Sequence, residues 1–193
     1  MKVLMINGSR REKGCTYTAL TEVGKVLKEK GIDYEIFFVG QRAVNGEMEA
    51  LLKEAEEKLK ECDGVILGSP VYYASPTGEI LAFLDRLFRT CPKELEHKPG
   101  AAVVSARRAG TSTTLDVLNK YFMITEMPIV SSSYWNMVHG NTPEEVYQDK
   151  EGLAIMHTMG ENMAWLLQCI ALGKTHGAPA PNTPERPRTN FIR

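Results

Sequence analysis

Short apolar runs alternate with amphipathic helical stretches along most of this chain, and that alternation limits the folds open to it more than any other feature. Val3-Leu4-Met5-Ile6 is continuously apolar, as a strand buried on both faces must be. Further strands are predicted over Tyr34–Val39, Val65–Gly68, Ala101–Ser105 and Ile129–Tyr134. Between them, Leu20, Val23, Val26 and Leu27 recur at helical spacing up to a stop at Gly31, and Met48, Leu51, Leu52, Ala55 and Leu59 mark one face of a charged helix over Glu47–Glu61. Ile80 to Phe88 and Thr111 to Phe122 read as the next two helices. Strand and helix in turn, with short connections, require right-handed crossovers and a parallel sheet covered on both faces. The expected fold is therefore α/β: a doubly wound, five-stranded parallel sheet with helices on both faces.

The domain is expected to occupy residues 1–175 and to end in a long helix from about Lys150, whose apolar face is wide enough to serve the core, a subunit contact, or both. Residues 176–193 carry Pro179, Pro181, Pro184 and Pro187, which disfavour regular structure, yet finish with Phe191 and Ile192. That tail is expected to dock on its own domain or on a neighbouring subunit. With 193 residues and 43% hydrophobic content the chain can bury one substantial core. A formal net charge of −1 argues against a nucleic-acid binder that neutralises phosphates. No apolar run reaches membrane-spanning length and no secretory leader opens the chain, so no membrane partner and a cytoplasmic location are expected. Cys15, Cys62, Cys91 and Cys169 are widely spaced without a CxxC pair, which predicts isolated thiols and no metal.

In a doubly wound sheet, ligands bind beyond the carboxyl ends of the strands, and the loops there are the unusual ones. After the first strand, Gly8 to Thr18 offers glycines, hydroxyls and Arg10 and Arg11 at the start of a helix. Its spacing fits neither GxxxxGK[ST] nor GxGxxG. It suits a phosphate monoester, with Ser9, Thr16, Tyr17 and Thr18 near the helix start and the arginines adding charge-assisted bonds; a solvated surface turn is the plainer alternative. After the third strand, Pro70-Val71-Tyr72-Tyr73-Ala74-Ser75 could give a flat wall for a heteroaromatic ring, or a proline-bounded turn that caps the core. After the fourth, Ser105, Arg107, Arg108 and Gly110 could hold the other side of a ring or a second anion.

Together these loops resemble a known family. Gly8-Ser9-Arg10-Arg11 with Gly14 and Thr16 resembles the phosphate loop of flavodoxin-like FMN enzymes. Gly68-Ser69-Pro70-Val71-Tyr72-Tyr73, continued by Thr77-Gly78 and Phe83-Leu84-Asp85-Arg86, resembles the signature of the NADPH-dependent FMN reductase family. Ser133 to Gly140 and the ending Arg188-Thr189-Asn190-Phe191-Ile192-Arg193 are similar to the branch that contains the iron-sulfur flavoproteins, although residues 41–48 lack that branch's cysteines. The resemblance implies an enzyme that passes electrons from NADPH or NADH through bound FMN to a quinone, free flavin or other small-molecule acceptor. The same loops would serve a flavodoxin-like electron carrier or a non-catalytic FMN-binding module. It also implies that the phosphate meets the first loop while the ring lies against residues 70–75 and 105–110, with a backbone amide between Tyr73 and Ser75 near the flavin N5. No catalytic side chain is implied, because the ring does the chemistry. Trp135, Asn136 and His139, which follow the fifth strand at the same sheet edge, would line an acceptor or nicotinamide pocket or else serve a structural or interface role, and the assembly would be a homodimer or homotetramer.

Overall fold

The structure is a computed structural model in which residues 1–184 and 187–191 are described. Five strands, β1 (Lys2–Asn7), β2 (Asp33–Phe38), β3 (Gly64–Pro70), β4 (Gly100–Ala106) and β5 (Met137–His139), form one sheet in the order β2-β1-β3-β4-β5, with every pairing parallel. The helices are α1 (Cys15–Glu29), α2 (Met48–Lys60), α3 (Gly78–Thr90), α4 (Pro92–Leu95), α5 (Thr111–Ile124), α6 (Pro143–Val146) and α7 (Lys150–Thr175), and a 3₁₀ turn spans Gly40–Ala43.

Because β1, β3 and β4 are buried on both faces, side chains that alternate along them feed two separate cores. Leu4, Ile6, Val65, Leu67, Ala102 and Val104 pack with α2, α3 and α5 on one face. Val3, Met5, Ile66, Ala101 and Val103 pack with α1 and α7 on the other. Gly68 lets α1 lie close on β3: a Cβ there would sit 2.8 Å from Leu20 and 2.9 Å from Thr16.

The fifth strand is not where the apolar run predicted it. Ile129 makes a single bridge with Gly100, Val130 donates its N–H to the Gly100 carbonyl, and the chain then leaves the ladder. It returns at Asn136, whose carbonyl accepts from Val104 N–H, and pairs only over Met137–His139. The run Ile129–Tyr134 has strand-forming residues but touches β4 only at Gly100, and residues 104–106 of β4 pair with Met137–His139 instead.

The carboxyl-terminal tail has no helix or strand among its described residues. Thr183 donates to Glu126 at 2.5 Å, and Phe191 is exposed. Ile192 and Arg193, part of the ending singled out in the sequence, lie outside the described residues. Among the described residues no helix is long and apolar enough to cross a membrane.

Candidate functional site

Three loops meet at the carboxyl edge of the sheet, and each is fastened to another by a specific contact. The first is wound on itself: Ser9 N–H donates to Asn7 Oδ1 at 3.0 Å, Arg11 N–H to Ser9 Oγ at 3.1 Å, and Asn7 Nδ2 to the Glu12 carbonyl at 2.9 Å. Asn7, fully buried, is thus the brace of this loop, and the sequence reading missed it. Thr77 ties the first loop to the second, because its hydroxyl donates to the Gly8 carbonyl at 2.8 Å and accepts Ile80 N–H at 3.2 Å as the cap of α3. Gly8 is required at this junction, since a Cβ would fall 2.5 Å from Ile80 Cβ.

The second loop turns sharply. Tyr72 and Ser75 exchange backbone hydrogen bonds at 2.9 and 3.1 Å, with Tyr73 at φ 53° and Ala74 at φ 56° between them. Two positive φ values mark a type I′ turn, which favours glycine and asparagine and costs other residues about 1–3 kcal/mol each. The third loop holds it there. Gly110, at φ 95°, sits where a Cβ would be 2.8 Å from Ala74 Cα and 2.9 Å from Val71 Cγ1, and Thr113 Oγ1 donates to the Ala74 carbonyl at 2.8 Å. The first and third loops are joined in turn by a 2.8 Å hydrogen bond between the buried Thr16 and Ser105 hydroxyls.

An open cleft of about 320 Å³ lies between these loops. That is within the size range of small-molecule sites. Its floor is Ser9, Thr16 and Ser105, and one wall is Pro70, Val71 and Tyr72. Arg11, Lys13 and Arg107 reach it, and none of them forms an ion pair among the described residues. Among the described residues that line the cleft there is no aspartate or glutamate. Gly14 and Cys15, at the N-terminus of α1, complete the cationic end, and α1 has no side-chain cap and no acid in its first turn. The leading N–H groups of α1 are therefore left for a ligand.

The remaining residues singled out in the sequence fall elsewhere. Arg10 pairs with Glu79 at 3.2 Å and lies outside the cleft lining, a place Lys13 takes instead. Tyr17 is half-buried on α1, and Thr18 is buried with its hydroxyl donated to the Gly14 carbonyl at 3.3 Å. Tyr73, Ala74 and Ser75 form the turn beside the cleft, with the Tyr73 ring fully exposed. Arg108 and Gly110 support rather than line it. Trp135 is exposed and stacks edge-on with Tyr134, ring centroids 4.3 Å apart. Asn136 is 8% exposed and its Oδ1 has no hydrogen-bond partner among the described residues. His139 lines a smaller hollow of about 120 Å³ with Tyr134 and Asp149. Its Nε2 lies 3.1 Å from the Arg108 carbonyl, to which a protonated Nε2 donates, so His139 steadies the third loop from outside.

Seven lining residues, Lys13, Gly14, Cys15, Ala106, Gly140, Asn141 and Pro143, are not among the candidate site residues named from the sequence. Gly140, Asn141 and Pro143 follow β5 and line the cleft, and Cys15 donates its thiol to the Gly140 carbonyl at 3.6 Å. Burial pushes the Cys15 thiol above its ordinary range, so it is neutral at pH 7. The Gly140-Asn141 dipeptide is the one local signal that could have marked this turn.

Comparison with known proteins agrees with this geometry. The sequence pattern of the family described as NADPH-dependent FMN reductase matches residues 1–142. An iron-sulfur flavoprotein of Methanocaldococcus jannaschii is 28% identical, over 88% of this chain and 99% of its own. Among solved structures, RosB with bound 8-demethyl-8-formylriboflavin-5'-phosphate superposes with a TM-score of 0.72 at 13% identity, covering 100% of this chain and 92% of RosB. A flavodoxin, WrbA-like protein of Agrobacterium tumefaciens gives 0.64 at 14% identity, over 87% of this chain and 97% of its own. At these identities the two structures establish the flavodoxin-like fold alone. Among the described residues no three histidine, cysteine or acidic side chains are grouped to hold a metal.

Proposed function

The chain belongs to the NADPH-dependent FMN reductase family, a family of flavoprotein oxidoreductases, and from that premise we propose that it carries electrons from NADPH or NADH, through FMN held in the cleft, to a quinone, free flavin or other small acceptor. The observation that carries the proposal is the cationic end of the cleft, where Arg11, Lys13 and the uncapped start of α1 converge without an opposing carboxylate. A phosphate monoester has about −1.5 to −2 charge near neutral pH and accepts such donors through three oxygens.

Each residue then has a defined task. Arg11 and Lys13 hold the phosphate, with Ser9 and Thr16 presenting hydroxyls beneath it. Pro70, Val71 and Tyr72 supply a flat apolar wall for the ring, and Ser105 and Arg107 face it from β4. The Ser75 N–H is already donated to Tyr72, which leaves the N–H groups of Tyr73 and Ala74 as the donors nearest that wall for the flavin N5. Holding those two residues at positive φ fixes the direction of both donors before any ligand arrives. When bound, FMN supplies hydride acceptance and electron release, so no side chain need act as acid or base. Tyr72 and Tyr73 flank the open side, from which a nicotinamide or acceptor ring would approach.

The test is direct. Protein purified without added cofactor should be yellow or should quench FMN fluorescence on titration, and should then oxidise NADPH or NADH in the presence of a quinone. A colourless protein that leaves FMN fluorescence unchanged overturns the proposal. Binding without turnover by either nicotinamide would leave an electron carrier or a non-catalytic module.

A further inference from the structure

The cleft holds more positive charge than one phosphate monoester can answer. Arg11, Lys13 and Arg107 line it, and among the described lining residues there is no acid. A phosphate monoester near neutral pH brings about −1.5 to −2, which leaves roughly one positive charge over. Position decides which. Arg11 and Lys13 stand on the first loop beside the start of α1, where the proposed function puts the phosphate. Arg107 stands on the third loop just beyond Ser105, and Ser105 lies opposite Pro70 in the register of β3 with β4. The surplus charge therefore belongs to the side of the cleft that has the wall for the ring. The backbone that carries it is fastened on both sides. The Ser105 carbonyl accepts Val71 N–H at 2.9 Å from the second loop, and the Ala106 carbonyl accepts Gly140 N–H at 3.0 Å from the turn after β5. The Arg107 side chain, by contrast, is exposed and forms no ion pair among the described residues. A fixed mount with an unmatched guanidinium suits capture of an anion, because little backbone freedom is lost on binding.

We infer that Arg107 selects an acceptor that carries its own negative charge, a quinone-like ring bearing a carboxylate or sulfonate, over a neutral ring of the same size. The inference rests on the reading that FMN occupies the cleft. The guanidinium fork sets two N–H groups against two oxygens of such an anion. Because Arg107 stands beside the ring wall, it meets a charge attached to the reacting ring itself, whereas the outer phosphate of a dinucleotide lies a nucleotide's length from its nicotinamide. The overall reaction is unchanged by this choice: NADPH and one proton from solvent reduce the quinone to its hydroquinone and release NADP⁺, and the acid group of the acceptor takes no part. A charge of this kind acts on encounter and binding of the acceptor, so it is expected in KM and in the salt dependence before it is expected in kcat.

The test takes the FMN-loaded protein, a neutral naphthoquinone and its sulfonate, and reads the ratio of their kcat/KM values. Differences in intrinsic reactivity cancel when a variant is compared with wild type. Arg107→Gln should lower the sulfonate-to-neutral ratio about tenfold, chiefly through KM, and Arg107→Lys should keep most of it. Arg10→Gln, which removes a cation already paired with Glu79, should leave the ratio where it is. In wild type the ratio should fall as salt is raised toward about 1 M, where charges are screened within about 3 Å. Should the loaded protein turn over neither quinone, flavin difference spectra give the same ratio from equilibrium binding. A ratio unmoved by Arg107→Gln, or an equal fall with Arg10→Gln, would overturn the inference. So would weaker FMN binding with the ratio intact, which would make Arg107 a phosphate ligand, or a shift from NADPH toward NADH with the ratio intact, which would make it a reader of the donor. FMN bound with the ratio unmoved counts against Arg107 alone, whereas a protein that takes up no FMN overturns the proposed function and this inference together.

Discussion

The two ends of the one sheet treat positive charge in opposite ways. At the amino end, Lys2 pairs with Glu35 at 2.8 Å, Lys58 meets the same carboxylate at 2.5 Å, and Lys28 pairs with Asp33. At the carboxyl end, Arg11, Lys13 and Arg107 surround a cleft whose described lining has no acid. The net charge of −1 conceals this separation. Cations that have intramolecular partners stabilise a surface slightly, whereas cations gathered without them are held in mutual repulsion that a bound anion relieves. Whether a charge is matched, rather than charge as such, marks the working end of the molecule.

Removing the unmatched cations should have the largest effect. Arg11→Ala combined with Lys13→Ala should weaken FMN binding about 100-fold, at roughly 1.5 kcal/mol for each charge-assisted bond, as read by fluorescence titration. Arg10→Ala, which severs only the pair with Glu79, should change it by less than about threefold. Equal effects from Arg10 and from the Arg11 and Lys13 pair would erase the distinction between matched and unmatched charge.

Next in size is the support beneath the second loop. Gly110→Ala places a Cβ at positive φ and 2.8 Å from Ala74 Cα, so it should cost about 1–3 kcal/mol in denaturant unfolding and loosen FMN as well. The amino end should respond less. Glu35→Gln should cost no more than about 1 kcal/mol and leave FMN affinity untouched. The smallest effect is its pH dependence. Hydrogen bonds from Lys2 and then Lys58 hold the Glu35 carboxyl below the usual range. A depressed folded value means that its contribution is present above the unfolded pKa, about 4.3, and is lost as the pH falls through the folded one. Wild type and Glu35→Gln should therefore differ in stability at neutral pH and converge in acid, and a gap that persists in acid would refute this assignment.

The first four strands and the helices that cover them could be read from periodicity alone, because strands buried on both faces tolerate only apolar runs and their helices need one apolar stripe. β5 could not. Ile129-Val130 has the composition of a strand, but which segment lies beside residues 104–106 of β4 is decided by how the chain passes the sheet edge in space, and no local pattern carries that information. The cleft was legible as three loops and illegible as side chains. Arg10, Arg11 and Lys13 are equivalent in sequence, and only Glu79, far along the chain, draws Arg10 away. Gly110 could be suspected as a turn glycine, whereas its role as the surface on which Ala74 rests depends on two loops meeting in space. Asn7 escaped notice because it reads as the last residue of an apolar strand, and its use emerges only when the following loop folds back over it.

Thr77 has a mechanical consequence. Its single hydroxyl group joins the Gly8 carbonyl to the leading turn of α3, so the turn after β1 and that helix can shift only as a coupled pair. A push delivered at the anionic end of a ligand would be felt as a tilt along α3, which makes the receptacle a stiff lever and not a set of separate fingers.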